Sequence, residues 1–168
     1  MKASATSASS QVQNLNELVG AHPQALRAIY AAGRVPALSS LGGRLRGRLL
    51  GLKAPAEVFL ALRSFVRLFA TDKLPWQGKT FSADGSAGHN VVLGREAMPF
   101  RVELASSALD GAPTLVLRYD EPADGNPAPL RLVRDEMREV APGVLVGPIL
   151  KSDQVIGWWG LERQERLD

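Results

Sequence analysis

The sequence predicts a mainly β protein, a small antiparallel barrel with α-helices ahead of it and one covering helix. Three observations carry that reading. From Leu74 onward the apolar residues recur every second position, the period of a half-buried strand. Strand-sized segments are separated by turn signals at Asp84-Gly85, Asp110-Gly111, Pro122 to Pro129 and Pro142-Gly143. Counting an earlier segment at 41–52, there are eight of them, enough to close a barrel that is filled inside or holds one ligand.

The first ten residues, MKASATSASS, hold no apolar stretch and read as a disordered tail rather than a secretory signal. Residues 11–40 form an N-terminal helical segment. Leu15, Leu18 and Val19, then Leu26, Ile29 and Tyr30, follow helical spacing, with a break between. Asn14 or Asn16 suits a helix start. Pro23 suits the first turn of a second helix, with His22 just ahead and Gly33 at its end. The barrel domain takes 41–168. Its first strand is 41–52, where leucines alternate with Arg44, Arg46 and Arg48 and four glycines argue against helix. Residues 55–71 are the covering helix, with Pro55 and Glu57 in its first turn and Val58, Leu62, Phe65 and Phe69 on a wide apolar face. Strands are expected at 79–82, 89–95, 99–107, 114–120, 130–140, 144–151 and 154–162.

Strand alternation sorts the faces. Phe100, Val102 and Leu104 point one way, Arg101 and Glu103 the other; Leu115, Leu117 and Tyr119 alternate with Thr114, Arg118 and Asp120. In the stretch 130–147, Arg134, Glu136 and Arg138 suit an outward, wet face with cross-strand pairing. Val133, Asp135 and Met137 then point inward, which sets a carboxylate on an apolar surface. An inward Asp135 beside the Tyr119 hydroxyl is a candidate acid–base pair; the alternative is an Asp135 paired to an arginine for structure. Trp76, after the covering helix, is placed to close the barrel floor, with Lys79 stacked over it or meeting an anionic ligand group. Trp158 and Trp159 are adjacent in a strand, so one faces in and one out.

Composition removes several function classes. Without cysteine there is no disulfide framework, thiolate metal site or cysteine nucleophile. His89 alone, after Gly88, supplies no zinc set. The net charge of +3 is spread apart from Arg44, Arg46 and Arg48, which does not make the stripe of a nucleic-acid reader. No apolar run is long enough to span a membrane, and a cytoplasmic protein is expected.

Five segments carry a resemblance in their order: R-G-R-L-L at 46–50, W-x-G-K-x-F at 76–81, D-G-x-P-x-L-x-x-x-Y at 110–119, R-D-E-x-R-E-V-x-P-G-x-x-x-G at 134–147 and W-W-G-L-E-R at 158–163. Together they resemble small bacterial lipocalin-like proteins of the calycin type and, more distantly, the GXWXG family. The first element here reads Gly43-Arg44-Leu45-Arg46-Gly47, without the family's Trp. The resemblance implies a calycin-like barrel and an apolar ligand, and brings no catalytic residues with it. The resulting expectation is a hydrophobic small molecule bound, without a cofactor, among Trp76, Lys79, Phe100, Val102, Leu104, Leu117, Val133, Met137, Trp158 and Trp159. The alternative is a cofactor-independent isomerase or cyclase using Asp135 and Tyr119. A third class is a membrane-surface or partner-binding module using helix 55–71 and the three arginines; the apolar helix also makes a homodimer conceivable.

Overall fold

The period-two region closes on itself in a computed structural model that describes residues 12–52 and 76–163. Its strands are β1 (Gly43–Leu52), β2 (Trp76–Phe81), β3 (Ala87–Val92), β4 (Arg95–Ser106), β5 (Pro113–Arg118), β6 (Val133–Ala141), β7 (Val144–Lys151) and β8 (Gln154–Glu162). Each pairs antiparallel with its neighbour in the chain, and β8 returns to pair with β1. Closure of this kind removes free sheet edges. The expected tail at 1–10 and covering helix at 55–71 lie outside the described residues. Among the described residues no helix is long and apolar enough to cross a membrane.

Several strand boundaries move: β2 and β4 begin earlier than expected, at Trp76 and Arg95, and two further changes have a plain local reason. Leu130–Leu132 does not open β6. Pro127 and Pro129 favour a helical turn, α2 (Ala128–Arg131), once α1 (Pro23–Ala32) is counted first. The segment 89–95 is not one strand, because Leu93 (φ 51°) and Gly94 (φ 76°) turn the chain between β3 and β4. Leu-Gly is a weaker turn signal than Asp-Gly or Asn-Gly.

The N-terminal segment packs on the outside of the barrel. The Asn14 side chain caps the short 3-10 turn Leu15–Leu18 by accepting from Asn16 and Glu17 N–H. His22 Nδ1 accepts from Gln24 N–H at 3.3 Å, and Pro23 stands in the first turn of α1. Leu15, Leu18, Leu26 and Tyr30 then bury themselves against Leu50, Val144, Val146 and Trp158. After α1 the chain crosses one end of the barrel. Arg34 and Glu139 exchange backbone hydrogen bonds at 2.9 and 2.7 Å, Leu38 lies against Gly85, and Arg163 donates to Ser40 O. Val35, Leu38 and Leu41 pack against the interior cluster and so stopper that end.

This arrangement corrects one expected surface. Thr114, Glu136 and Arg138 do face outward, but α1 and the β4–β5 loop cover them, and all three are buried. Of the three arginines of β1, Arg44 donates to Gln77 Oε1 at 3.0 Å, Arg46 pairs with Glu162, and Arg48 is exposed to solvent. Glu162 in turn accepts from Leu15 N–H at 2.9 Å, which ties the N-terminal turn to β1 and β8.

At the β2–β3 turn the Asp84 carboxylate accepts from Ser82 Oγ at 2.6 Å, Ser86 Oγ at 2.8 Å and Ser86 N–H at 3.0 Å. These hydrogen bonds, that of Ser82 first, hold its pKa down at about 2. The stabilisation is present above the unfolded-state value of 3.8 and is lost as pH falls through about 2. Carboxyl-detected NMR titration should therefore show Asp84 still ionised when the protein's unperturbed aspartates are half protonated.

Candidate functional site

The site begins with an irregularity in β2. The β2–β3 register shifts between Trp76 and Gly78, and Gly78 sits at φ 134°. A bulge inserts one residue and resets the alternation of faces. As a result Trp76 and Lys79, three residues apart, both point into the barrel. Only glycine serves here: a Cβ at position 78 would run into Leu45 O, and one at Gly47 into the Trp76 ring. Gly78→Ala should destabilise the fold by roughly 2–5 kcal/mol, from backbone strain plus overpacking. Urea unfolding followed by circular dichroism checks it, and a neutral result would mean the bulge is not required.

Lys79 is 2% exposed, at the centre of the interior. Its Nζ donates to Asn90 Oδ1 at 2.8 Å, Tyr119 Oη at 2.7 Å and Asp135 Oδ2 at 3.2 Å. An ammonium has three N–H donors, and each meets one acceptor. Tyr119 Oη donates onward to Asp135 Oδ2 at 2.7 Å. Four aromatic rings surround the ammonium: Trp159 at 4.9 Å, Phe100 at 5.0 Å, Tyr119 at 5.4 Å and Trp76 at 5.7 Å from their centroids. Phe100 stands edge-on to both Phe81 and Tyr119.

Each partner is held by its own element. Asn90 on β3 donates from Nδ2 to Met98 O at 3.0 Å, which turns its Oδ1 toward Lys79 and the Trp76 indole N–H, 2.9 Å away. Met98 is itself bulged out of the β3–β4 register at φ 50°. That strained backbone is what presents its carbonyl to Asn90. Tyr119 follows the end of β5, and Asn126 fixes it by donating to Tyr119 O at 3.1 Å and Pro99 O at 2.8 Å. Asp135 lies in β6 between Leu117 and Ile149 in register.

Burial pulls the Lys79 pKa below its ordinary value, and the Asp135 carboxylate acts against that pull. Burial first, and the Asp135 charge second, push the Tyr119 phenol well above its ordinary value. Tyr119 is therefore a neutral hydrogen-bond donor at physiological pH. Asp135 Oδ2 accepts from both neighbours, so in this arrangement it is an acceptor and counter-ion. One buried donor in the wall is unanswered: Trp159 Nε1, on a residue 2% exposed, has no hydrogen-bond partner.

Asp135 does face inward beside Tyr119, as alternation predicts, but its cationic partner is Lys79 and not an arginine. Trp76, Lys79, Phe100, Val102, Leu117, Val133, Met137 and Trp159 are all buried in the interior or pack with it. Two residues leave the predicted lining. Trp158 is the outward member of its pair, packed edge-on to Tyr30 beneath the N-terminal helices at 6.0 Å. Leu104 is across from Leu115 in register but 65% exposed. β4 runs past the packed interior there, and strand parity gives a side without saying whether anything covers it. Asn90 and Asn126 are site residues that sequence reading passed over. Asn90 shares inward parity with Gly88 in β3, a signal overshadowed by His89, which is exposed and 3.7 Å from Glu96. Asn126 sits in the proline-rich loop, where nothing in the pattern marks it.

No family model matches the chain, and no curated protein does. A solved structure described only as a protein from Thermomonospora curvata is similar in fold, with a TM-score of 0.60 at 17% identity over 89% of this chain and 93% of that one. That likeness supports the barrel and extends no further.

Proposed function

We propose that the barrel interior binds a small apolar molecule carrying one polar oxygen group, with that group held at Lys79, Tyr119 and Asp135. The observation that carries this reading is an ion pair and a phenol set among aromatic rings inside an otherwise apolar barrel. A chain needing only a core is often as stable, or more so, with apolar side chains in place of a buried ion pair. An apolar wall with a few converging polar groups is the usual make-up of a small-molecule site. The segments of W-x-G-K-x-F, the L-x-x-x-Y element, R-D-E and W-W-G also converge on this cluster through Trp76, Lys79, Tyr119, Asp135 and Trp159, which favours the calycin-like expectation of an apolar ligand.

Titration with cis-parinaric acid, a fluorescent apolar carboxylate, tests the reading. Saturable one-to-one binding is expected, with energy transfer from tryptophan. Val133→Phe, which narrows the interior beside Asp135, should weaken it at least about tenfold, since overpacking of this size costs roughly 1–3 kcal/mol. Equal binding by a natively folded Val133→Phe variant would remove the interior as the site. The 2.7 Å hydrogen bond from Tyr119 to Asp135 favours a second reading, cofactor-independent proton transfer on the bound molecule as in an isomerase or cyclase. There Asp135→Asn would abolish turnover while leaving binding in place.

A further inference from the structure

We propose that the ligand is an apolar aldehyde or ketone and that Lys79 binds it covalently as a protonated imine, with Asp135 as the counter-ion. The inference rests on the binding reading above and names its substrate class. Three features of the geometry lead to it. A primary amine lies at the centre of an apolar interior, reached by no other cation among the hydrogen bonds and ion pairs of the cluster. A phenol stands 2.7 Å from that amine and 2.7 Å from the carboxylate, so it can relay a proton between them. The third is the unpartnered Trp159 indole N–H in a ring 4.9 Å from the amine. A buried donor left unpaired costs about 1–3 kcal/mol, and a carbonyl oxygen of the ligand would answer it.

The step balances with what the site holds. Lys79 gives one proton through Tyr119 to Asp135, leaving a neutral amine. The amine lone pair attacks the carbonyl carbon, the C–N bond forms as the C=O π bond breaks, and the carbonyl oxygen, held by Trp159, takes up the proton that the now cationic nitrogen releases, giving a neutral carbinolamine. The C–O bond then breaks, the oxygen leaves as water with the proton returned from Asp135, and a C=N bond forms with positive charge on nitrogen. The net change is carbonyl plus ammonium to iminium plus water. One cation faces one carboxylate before and after, so the interior never holds an unpaired charge. That conservation distinguishes this lysine from a surface amine, which would gain nothing from becoming an iminium. The lowered affinity of Lys79 for its proton works in the same direction, because the attacking form is the neutral amine.

The test uses the full chain with dodecanal and sodium cyanoborohydride, followed by intact-mass measurement and peptide mapping. The expected result is one dodecyl adduct per chain on Lys79, formed at least tenfold faster than on Lys2, Lys53, Lys73 or Lys151. Lys79→Arg should lose that adduct. Should the variant fail to fold, Trp159→Phe keeps the amine and should slow labelling of Lys79 severalfold while the other lysines label as before. Labelling spread evenly over the lysines, or confined to the other four, would overturn the proposal. Dodecanol, which has no carbonyl, separates the two readings. If it displaces cis-parinaric acid while dodecanal leaves Lys79 unmodified, the interior binds apolar molecules and the imine is wrong. If neither displaces the probe, the binding reading fails as well.

Discussion

Lys79→Met is expected to lower stability by roughly 3–5 kcal/mol at neutral pH, because it leaves the Asp135 carboxylate buried without its cation. Met fills the space of the lysine stem, so lost packing contributes little. The loss comes from a charge that keeps only the Tyr119 hydrogen bond. Lys79→Met/Asp135→Leu should recover most of it, since no charge then remains in the interior; what persists is the unpaired Tyr119 hydroxyl, about 1–3 kcal/mol. Urea unfolding by circular dichroism measures both variants. A single substitution as benign as the double would mean that the carboxylate does not depend on the ammonium. The same pair sets an alkaline pH profile. The folded Lys79 releases its proton more readily than the unfolded chain, whose lysine value is 10.5. Between those two values the unfolded state binds more protons, so stability rises with pH up to about 10.5. Tyr119 acts in the opposite sense: its folded value lies above the ordinary 10.0, and stability is lost as pH climbs past about 10. Asp135→Asn removes the group that holds Lys79 up, which extends the rising limb to lower pH. Unfolding midpoints at neutral pH and near pH 9 should differ more in Asp135→Asn than in the unmodified protein.

The barrel was legible because alternation and turn residues are local properties. Phe100 and Val102, Leu115 and Leu117, and Asp135 against Glu136 all fall on the sides that period two assigns. The site was only half legible. Asp135 and Tyr119 stood out as polar groups at inward parity, and Trp76 and Lys79 came from their motif. Their meeting could not be read, because it depends on the bulge at Gly78, which shifts parity by one, and on closure of the sheet, which brings β2 to face β5 and β6 across the interior. Burial of the outward face was missed for a related reason. Arg134, Glu136 and Arg138 have the alternating signs of a wet strand, and only the docking of α1 turns them into an internal network. Patterns within a strand report its two sides; what lies over each side is decided by segments far away in the chain, here Tyr30 and the β4–β5 loop.

Glu136→Ala should be nearly as damaging as Lys79→Met, and by an independent route. Glu136 is fully buried on the opposite face of β6 from Asp135. It accepts from Tyr30 Oη at 2.7 Å, Ser107 Oγ at 2.6 Å and Ala108 N–H at 2.8 Å, and forms an ion pair with Arg134 Nη2 at 2.9 Å. Burial is the main reason the Tyr30 phenol has its pKa raised, so it stays a donor. Beside it Arg138 grips Asp110 through two hydrogen bonds at 2.7 and 2.8 Å and stacks 4.3 Å from the Tyr30 ring. Removing the carboxylate takes an acceptor from two hydroxyls and an amide and the counter-charge from Arg134 at once; Tyr30 Oη keeps Thr114 Oγ1 at 2.8 Å, and the loss, roughly 3–5 kcal/mol, comes mainly from the broken ion pair. Tyr30→Phe, by contrast, leaves Glu136 with its other donors and should cost about 1 kcal/mol. The damage from Glu136→Ala is expected to be local before it is global. α1 should lose hydrogen-exchange protection and Trp158, which rests edge-on against Tyr30, should shift its fluorescence, while the β2–β3 ladder keeps its protection. Lys79 chemistry should persist in whatever fraction stays folded, because the two carboxylates, adjacent in sequence, face opposite sides of one strand. Uniform loss of protection across α1 and the barrel would show instead that the outer network and the interior cluster unfold as a single unit.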